Sequence, residues 1–220
     1  MTVVATLPKS AHDWLKHELD PALFRKAGTI ASGAGIVTTG SVLGKIATGS
    51  AVAAADAGNT GDATIAMDAT PLATGVKPGI YNVTVIEPAT NAGTFEVEDP
   101  DGLSIGTGDV GTLFDDVIRF TITDGATDLV AGDRFTVTVA TGSEKFVPID
   151  FAATDGSERA AAILINYADA TSADVETAVL IGQAQIVPNQ LVWPAGATTQ
   201  QQAAALAQLA ELNIISHQRG

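Results

Sequence analysis

At 220 residues the chain can bury one large core or two small ones, and its lack of cysteine excludes disulfides and thiolate metal sites. A formal net charge of −14 speaks against nucleic acid, which is held by Lys and Arg neutralising phosphates. No apolar run approaches the roughly 20 residues of a membrane span, and the opening MTVVATLPKSAHDW lacks the basic and apolar regions of a secretory signal. The expectation is a soluble protein made in the cytoplasm. Apolar residues make up 46% of the chain but aromatics only 5%, so its cores must be built mainly from small and β-branched side chains. Residues 1–49 hold five basic and three acidic groups, residues 50–142 three and fourteen, and residues 143–220 three and eight. The negative excess is therefore concentrated in the middle of the chain. It serves solubility and mutual repulsion, or marks the outward face of an assembly gripped by the nearly neutral N-terminus.

Residues 1–35 read as an extended arm that orders on a partner. Ser10 can cap one or two helical turns over residues 11–19 before Asp20-Pro21 interrupts them. Short pieces broken at Gly28, Gly33 and Gly35 follow, and Trp14 has few apolar neighbours in sequence. Order resumes at residues 36–50, where Ile36, Val37 and Thr38 are β-prone and Gly40 and Gly44 bracket a short piece around Val42, Leu43 and Ile46. Residues 51–61, rich in Ala and Gly, read as a linker.

The central block, residues 51–142, alternates with period two. Ile65 and Met67, then Tyr81, Val83 and Val85, then Phe95 and Val97, then Ile118, Phe120 and Ile122, then Phe135, Val137 and Val139 each face one way; Thr64 and Asp68 oppose the first pair, and Thr, Asn, Glu or Arg lie between the members of the other sets. Five segments apolar on one side only predict antiparallel strands with one buried face. Turn residues such as Lys77-Pro78-Gly79, Asp99-Pro100-Asp101-Gly102 and Asp124-Gly125 separate them. The block is predicted to be a small β-sandwich or barrel.

In residues 143–220 the apolar runs 160–165 and 178–181, and Ile186-Val187, are read as strands. Thr198 with Gln201, or Thr199 with Gln202, has capping-box spacing and opens the one predicted helix, residues 203–212. Ala203, Leu206, Leu209 and Ala210 make its apolar stripe. Residues 213–215 are predicted to close as a short strand.

No catalytic constellation emerges, and the chain is not expected to be an enzyme or to hold a cofactor. His12, His17 and His217 all lie near the ends of the sequence, where nothing is placed to hold an imidazole against a nucleophile. Gly106-x-Gly108-x-x-Gly111 matches the dinucleotide fingerprint as a string, but a strand follows it rather than a helix N-terminus. Those glycines are read as turn residues. The Asp99–Asp101 turn and Asp115-Asp116 offer oxygens to Ca²⁺ without the spacing of a complete calcium loop, and are read as structural turns with no metal.

Gly40-Ser41-Val42-Leu43-Gly44-Lys45-Ile46 resembles the G-x-V-L-G-K-I segment of tailed-phage head decoration (capsid cement) proteins of the lambda type. Asp155-Gly156-Ser157, followed by Ala160, Ala161, Ala162, Ile163 and Leu164 and then by Asp169-Ala170-Thr171, is similar to that family's next stretch. Asp13, Trp14, Leu15, Glu18, Phe24 and Arg25 resemble its arm motif. Residues 51–142 interrupt the pattern and resemble an inserted β-domain of larger decoration proteins. The resemblance implies a mainly β chain. A discontinuous β-clip-like decoration domain (36–50 and 143–220), with one C-terminal helix, would be interrupted by an antiparallel β-sandwich or barrel projecting outward. It further implies a virion protein, made in the host cytoplasm, whose partners are the major capsid protein and two more copies of itself. The homotrimer would sit at threefold positions outside an expanded head and brace it against internal DNA pressure, without nucleic acid or membrane contact. Trp14, Leu15, Glu18, Phe24 and Arg25 would touch capsid, while Gly40, Val42, Leu43, Gly44, Asp155, Gly156 and Ser157 would be structural. The alternative is a β-rich fibre or surface module whose insertion recognises glycan or a host molecule.

Overall fold

A computed structural model of the chain describes residues 9–217. They divide into two compact units, one made of the residues up to Ile46 and from Glu144 on (unit 1), the other of Ala47–Ser143 (unit 2). The first leg of unit 1 holds two single helical turns, α1 (Ala11–Trp14) and α2 (Pro21–Phe24), and strands β1 (Leu15–Glu18), β2 (Arg25–Ile30), β3 (Gly35–Val37) and β4 (Val42–Lys45). Unit 2 holds β5 (Thr48–Ala55), β6 (Thr64–Leu72), β7 (Gly79–Ala89), β8 (Ala92–Glu98), β9 (Ser104–Asp109), β10 (Leu113–Asp115), β11 (Ile118–Thr123) and β12 (Arg134–Thr141). The second leg of unit 1 adds β13 (Phe146–Pro148), β14 (Ala162–Leu164), β15 (Ala168–Ala170), β16 (Val175–Leu180), β17 (Ala184–Ile186), α3 (Thr199–Glu211) and β18 (Ile214–Ser216). The fold is mainly β, as the sequence predicts, with one multi-turn helix near its C-terminal end.

Unit 2 is a sandwich of a five-stranded antiparallel sheet, β5-β12-β7-β8-β9, and a three-stranded sheet, β10-β11-β6. The one-sided alternation is what fills it. Tyr81, Val83, Val85, Phe95, Val97, Ile118, Phe120, Ile122, Phe135, Val137 and Val139 form one buried cluster drawn from both sheets. The Phe95 and Phe114 rings lie 5.6 and 5.2 Å from that of Phe120, within ordinary aromatic packing distance.

Two segments depart from the sequence reading. The first part of the predicted linker, residues 51–55, is strand: Ala51, Ala53 and Ala55 of β5 stand opposite Val139, Val137 and Phe135 of β12. Alanine has little strand preference of its own, so β5 is held by its pairing partner rather than by propensity. The first two glycines of the fingerprint-like string sit inside β9. A Cβ on Gly108 would come within 2.6 Å of the Phe95 ring, so this glycine makes room for an aromatic in the core.

Two buried carboxylates tie the turns of unit 2. Asp133 accepts backbone N–H bonds from Thr60 (2.8 Å), Gly61 (3.0 Å) and Val130 (3.0 Å). Burial raises its pKa, but these bonds outweigh that and hold the carboxyl below its ordinary value. Asp99 accepts from Lys77 Nζ at 2.7 Å and from the N–H groups of Asp101 and Leu103. The lysine and the two amides hold it low as well. The Asp99 oxygens thus face two amides of their own loop and the Lys77 ammonium rather than an open cation cavity. A lowered folded pKa contributes stability above the unfolded value of about 4, which is lost as pH falls through that value towards the folded one. Unit 2 should accordingly keep a constant melting midpoint down to about pH 5 and soften below it. Asp133→Ala, which removes a buried carboxylate and leaves three backbone N–H groups without their acceptor, should cost about 1–3 kcal/mol in a urea titration of unit 2 at pH 7 and flatten part of the acid dependence.

In unit 1 five strands close into a barrel, β13-β2-β16-β14-β4, around Ile30, Leu43, Ala162, Leu164 and Val179. A second core packs the outside of the barrel against the sheet β1-β17-β18 and helix α3. The helix starts where the capping box predicts. Thr198 Oγ1 accepts from Gln201 N–H (3.2 Å), and Gln201 Oε1 accepts from Thr198 N–H (2.9 Å). Thr198→Ala should lower unit 1 stability by about 1 kcal/mol, read from a thermal melt. The buried face keeps half of the predicted stripe: Leu209 and the half-buried Leu206 join the core together with Ala205, while Ala203 and Ala210 are exposed. Two glutamines tie the helix to neighbouring backbone. Gln208 Oε1 accepts from Ala160 N–H at 2.8 Å, and Gln202 Nε2 donates to Ala197 O at 3.2 Å.

Candidate functional site

The two legs of unit 1 are joined where the sequence motifs meet. Val42 and Leu43 of β4 are buried, and the strand pairs on one side with β13 and on the other with β14. Gly44 lies under the loop containing Asp155, Gly156 and Ser157. A Cβ at Gly44 would stand 2.0 Å from the Ser157 carbonyl oxygen and 2.7 Å from its Cα. The loop is fixed from within: Asp155 Oδ1 accepts from Ser157 N–H (3.0 Å) and Oγ–H (2.6 Å). Gly156 has φ +100°, a conformation open mainly to glycine. Ser157 O accepts from Asp150 N–H at 3.1 Å.

Gly40 has a related role toward Trp14. With φ +82° and no Cβ, it lets the indole approach to 2.9 Å of where a Cβ would lie. Trp14 is fully buried, and its Nε1–H donates to Thr39 Oγ1 at 3.1 Å. Its carbonyl accepts from Val187 N–H. The chain before it is held too, since Lys9 Nζ donates to Gln190 O at 2.7 Å and Ser10 N–H donates to the Asp13 carboxylate at 2.8 Å. That bond keeps the Asp13 pKa below its usual value. Beyond Trp14, β1 pairs with β17. Glu18 holds Arg25 in a two-pronged ion pair, one arm Arg25 Nε to Glu18 Oε2 at 2.8 Å, the other Nη2 to Oε1. Phe24 packs over Gly182, and β2 enters the barrel beside β16.

The expected arm therefore falls in two parts. Residues 1–8 lie outside the described residues. Residues 9–35 are woven into unit 1: Trp14 and the inward sides of Leu15 and Phe24 are core, and Glu18 and Arg25 brace each other. Local sequence could not reveal this, because the partners of Trp14 come from residues 39–40 and 187. What the segment turns outward is different: Lys16, His17, Leu19, Leu23 and Lys26 are exposed.

A family model for the bacteriophage lambda head decoration protein D matches residues 4–214. The chain belongs to this family. The match runs through unit 2 as well as both legs of unit 1, so the family resemblance of Gly40–Gly44 and Asp155–Ser157 extends over nearly the whole chain. As a head decoration protein it is a β-rich structural protein of the bacteriophage virion with a capsid-binding role. No helix among the described residues is long and apolar enough to cross a membrane. No curated protein matches the chain. Two crystal structures of Xanthomonas campestris FlgL share 20% identity with it at a TM-score of 0.32, covering 54% and 53% of this chain. The matched part is 41% and 40% of the FlgL chains, about two fifths of their length. At that score the likeness says nothing of function.

Proposed function

We propose that the protein binds the outer surface of an expanded phage head as a trimer at local threefold positions and stabilises the shell against the pressure of packed DNA. The observation that carries this reading is the family match over residues 4–214. The build of unit 1 supports it. A closed barrel tied through Gly44 and Trp14 is a stiff clamp, and three stiff clamps joined together turn weak contacts into durable ones by multivalency. Unit 2, with three basic and fourteen acidic groups in residues 47–143, is the outward-projecting part in this reading. Capsid engagement is assigned to residues 1–8 and to the exposed side of the segment that follows, in place of Trp14.

The test is co-sedimentation with expanded and unexpanded heads, together with mass in solution and survival of decorated heads under osmotic shock. The expected results are saturable binding to expanded heads, a particle three times 22.3 kDa, and fewer burst heads. Deletion of residues 2–8 should lower occupancy while leaving unit 1 folded; removing residues 1–35 would take β1 and β2 out of the structure and test nothing about engagement. Wild-type protein that stays in the supernatant with expanded heads would overturn the reading.

A further inference from the structure

Strand β11 of unit 2 buries every second side chain: Ile118, Phe120 and Ile122 fill the core, while Arg119, Thr121 and Thr123 between them are more exposed. The same alternation aims Asp124, two residues on from Ile122, inward at the end of the sandwich. Less than 1 Å² of either Asp124 carboxylate oxygen is open to solvent, and among the described residues neither oxygen has a hydrogen-bond donor. Asp99 and Asp133, the buried carboxylates already described, are each met by three donors. A buried carboxylate is costly unless something neutralises it. The basic side chains of unit 2 do not. They are Lys77, Arg119 and Arg134. Lys77 follows the opposite end of β6 and is held by Asp99 and Asp101. Arg119 pairs with Asp115, and Arg134 alternates with the buried Phe135, which puts it on the outer face of the other sheet.

What gathers beside Asp124 is more oxygen. Thr123 pairs with Thr64, which brings the β5–β6 loop alongside the β11–β12 loop. Asp62 of the first loop lies against Gly125 of the second: a Cβ on Gly125 would stand 2.0 Å from Asp62 Oδ1 and 2.7 Å from its carbonyl oxygen. Asp62 Oδ1 accepts from Thr127 N–H at 2.8 Å, and its Oδ2 accepts no hydrogen bond among the described residues. We propose that Asp124, with Asp62 beside it, binds a Ca²⁺ ion between these two loops. Ca²⁺ takes carboxylate and backbone carbonyl oxygens together, in flexible numbers, at about 2.3–2.6 Å. That is closer than a hydrogen-bonded water, so a bare ion reaches oxygens that water does not. Among the described residues no metal-ligating group of three or more carboxylates and histidines forms, so carbonyls of the two loops complete the shell. An all-oxygen set of this kind suits Ca²⁺ rather than Zn²⁺, which favours histidine and thiolate. Bound there, the ion ties together two loops that close one end of the sandwich, and its affinity adds to the stability of unit 2.

The test uses the full chain, stripped with EDTA and exchanged into metal-free buffer at physiological salt. Calorimetric titration with CaCl₂ should show one site per chain with a Kd below ~100 μM. An excess of CaCl₂ over EDTA should raise the melting midpoint of unit 2, followed by its far-ultraviolet β signal, by at least ~5 °C. Unit 1 holds both tryptophans, and its fluorescence transition should stay where it is. Asp124→Asn, which keeps the shape and removes the charge, should abolish the site and the shift, and Asp62→Asn should weaken binding at least ~10-fold. Glu87→Gln with Glu98→Gln, both exposed, should change neither. A wild type that binds no Ca²⁺ overturns the proposal. So does weak binding that Asp124→Asn leaves intact, since that is diffuse attraction to an acidic surface. A wild type indifferent to Ca²⁺ whose Asp124→Asn variant melts higher overturns it too, and shows a proton rather than a metal ion on the carboxylate.

Discussion

Replacing Trp14 by alanine should destabilise unit 1 by about 3–5 kcal/mol, the cost of emptying a fully buried aromatic site. The substitution also removes the donor to Thr39 Oγ1 and the ring that fills the space above Gly40. Both tryptophans of the chain, Trp14 and Trp193, belong to unit 1, so the emission of Trp193 follows that unit alone in the variant. Urea titration by fluorescence should therefore show an early transition, with the β signal of unit 2 melting where it does in the wild type. A partner-facing tryptophan predicts the opposite pattern: unchanged unfolding, with the loss confined to capsid occupancy. The experiment separates a core residue from an arm residue in one measurement.

Gly44→Ala should be as damaging for a different reason. The added methyl meets the backbone of Ser157 at 2.0 Å from its oxygen and 2.6 Å from its carbonyl carbon. A flexible side chain could swing aside, but this loop is pinned by Asp155 and by its bond to Asp150. Relief requires β4 or the loop to move, and β4 is paired on both sides. Overpacking of this kind costs about 1–3 kcal/mol where neighbours can give and more where they are fixed, so a loss of at least about 3 kcal/mol is expected by the same fluorescence titration. A variant as stable as wild type would mean that the loop does not bear on the strand.

The strands of unit 2 were legible because each long one buries a single face, and alternation at Tyr81–Val85 or Ile118–Ile122 records that directly. Strands β5 and β9 were hidden because Ala and Gly leave no such record: Ala53 is in the sheet through Val137, and Gly108 because Phe95 needs the space. Helix α3 announced its start through Thr198 and Gln201, and its stripe marked Leu206 and Leu209 of the inward face, but it missed Ala205, a small residue in a run of alanines that gives no hydrophobic contrast. The motif halves around Gly44 and Ser157 were legible as a family pattern, and their contact supplies the physical reason for the glycine. The candidate contact surface was the least legible part. The motif residues Trp14, Phe24 and Arg25 stand out in sequence because they hold unit 1 together. The side chains free to meet a partner, such as Leu19 and Leu23, lie between them and follow no pattern of their own.

The chain leaves unit 1 after Ile46 and re-enters it at Glu144, and these two points are one hydrogen bond apart, Glu144 N–H to Ile46 O at 2.9 Å. On the unit 2 side Gly142 N–H reaches Ala47 O at the same distance. For unit 1 the ninety-odd intervening residues act as a hairpin turn, since their ends meet and loop length adds only weakly to the closure cost. Any folded module whose first and last strands are neighbours meets the same boundary condition. The junction is therefore a natural exchange point, at which recombination or an engineer can graft a foreign antigen or enzyme into the protein without rebuilding unit 1.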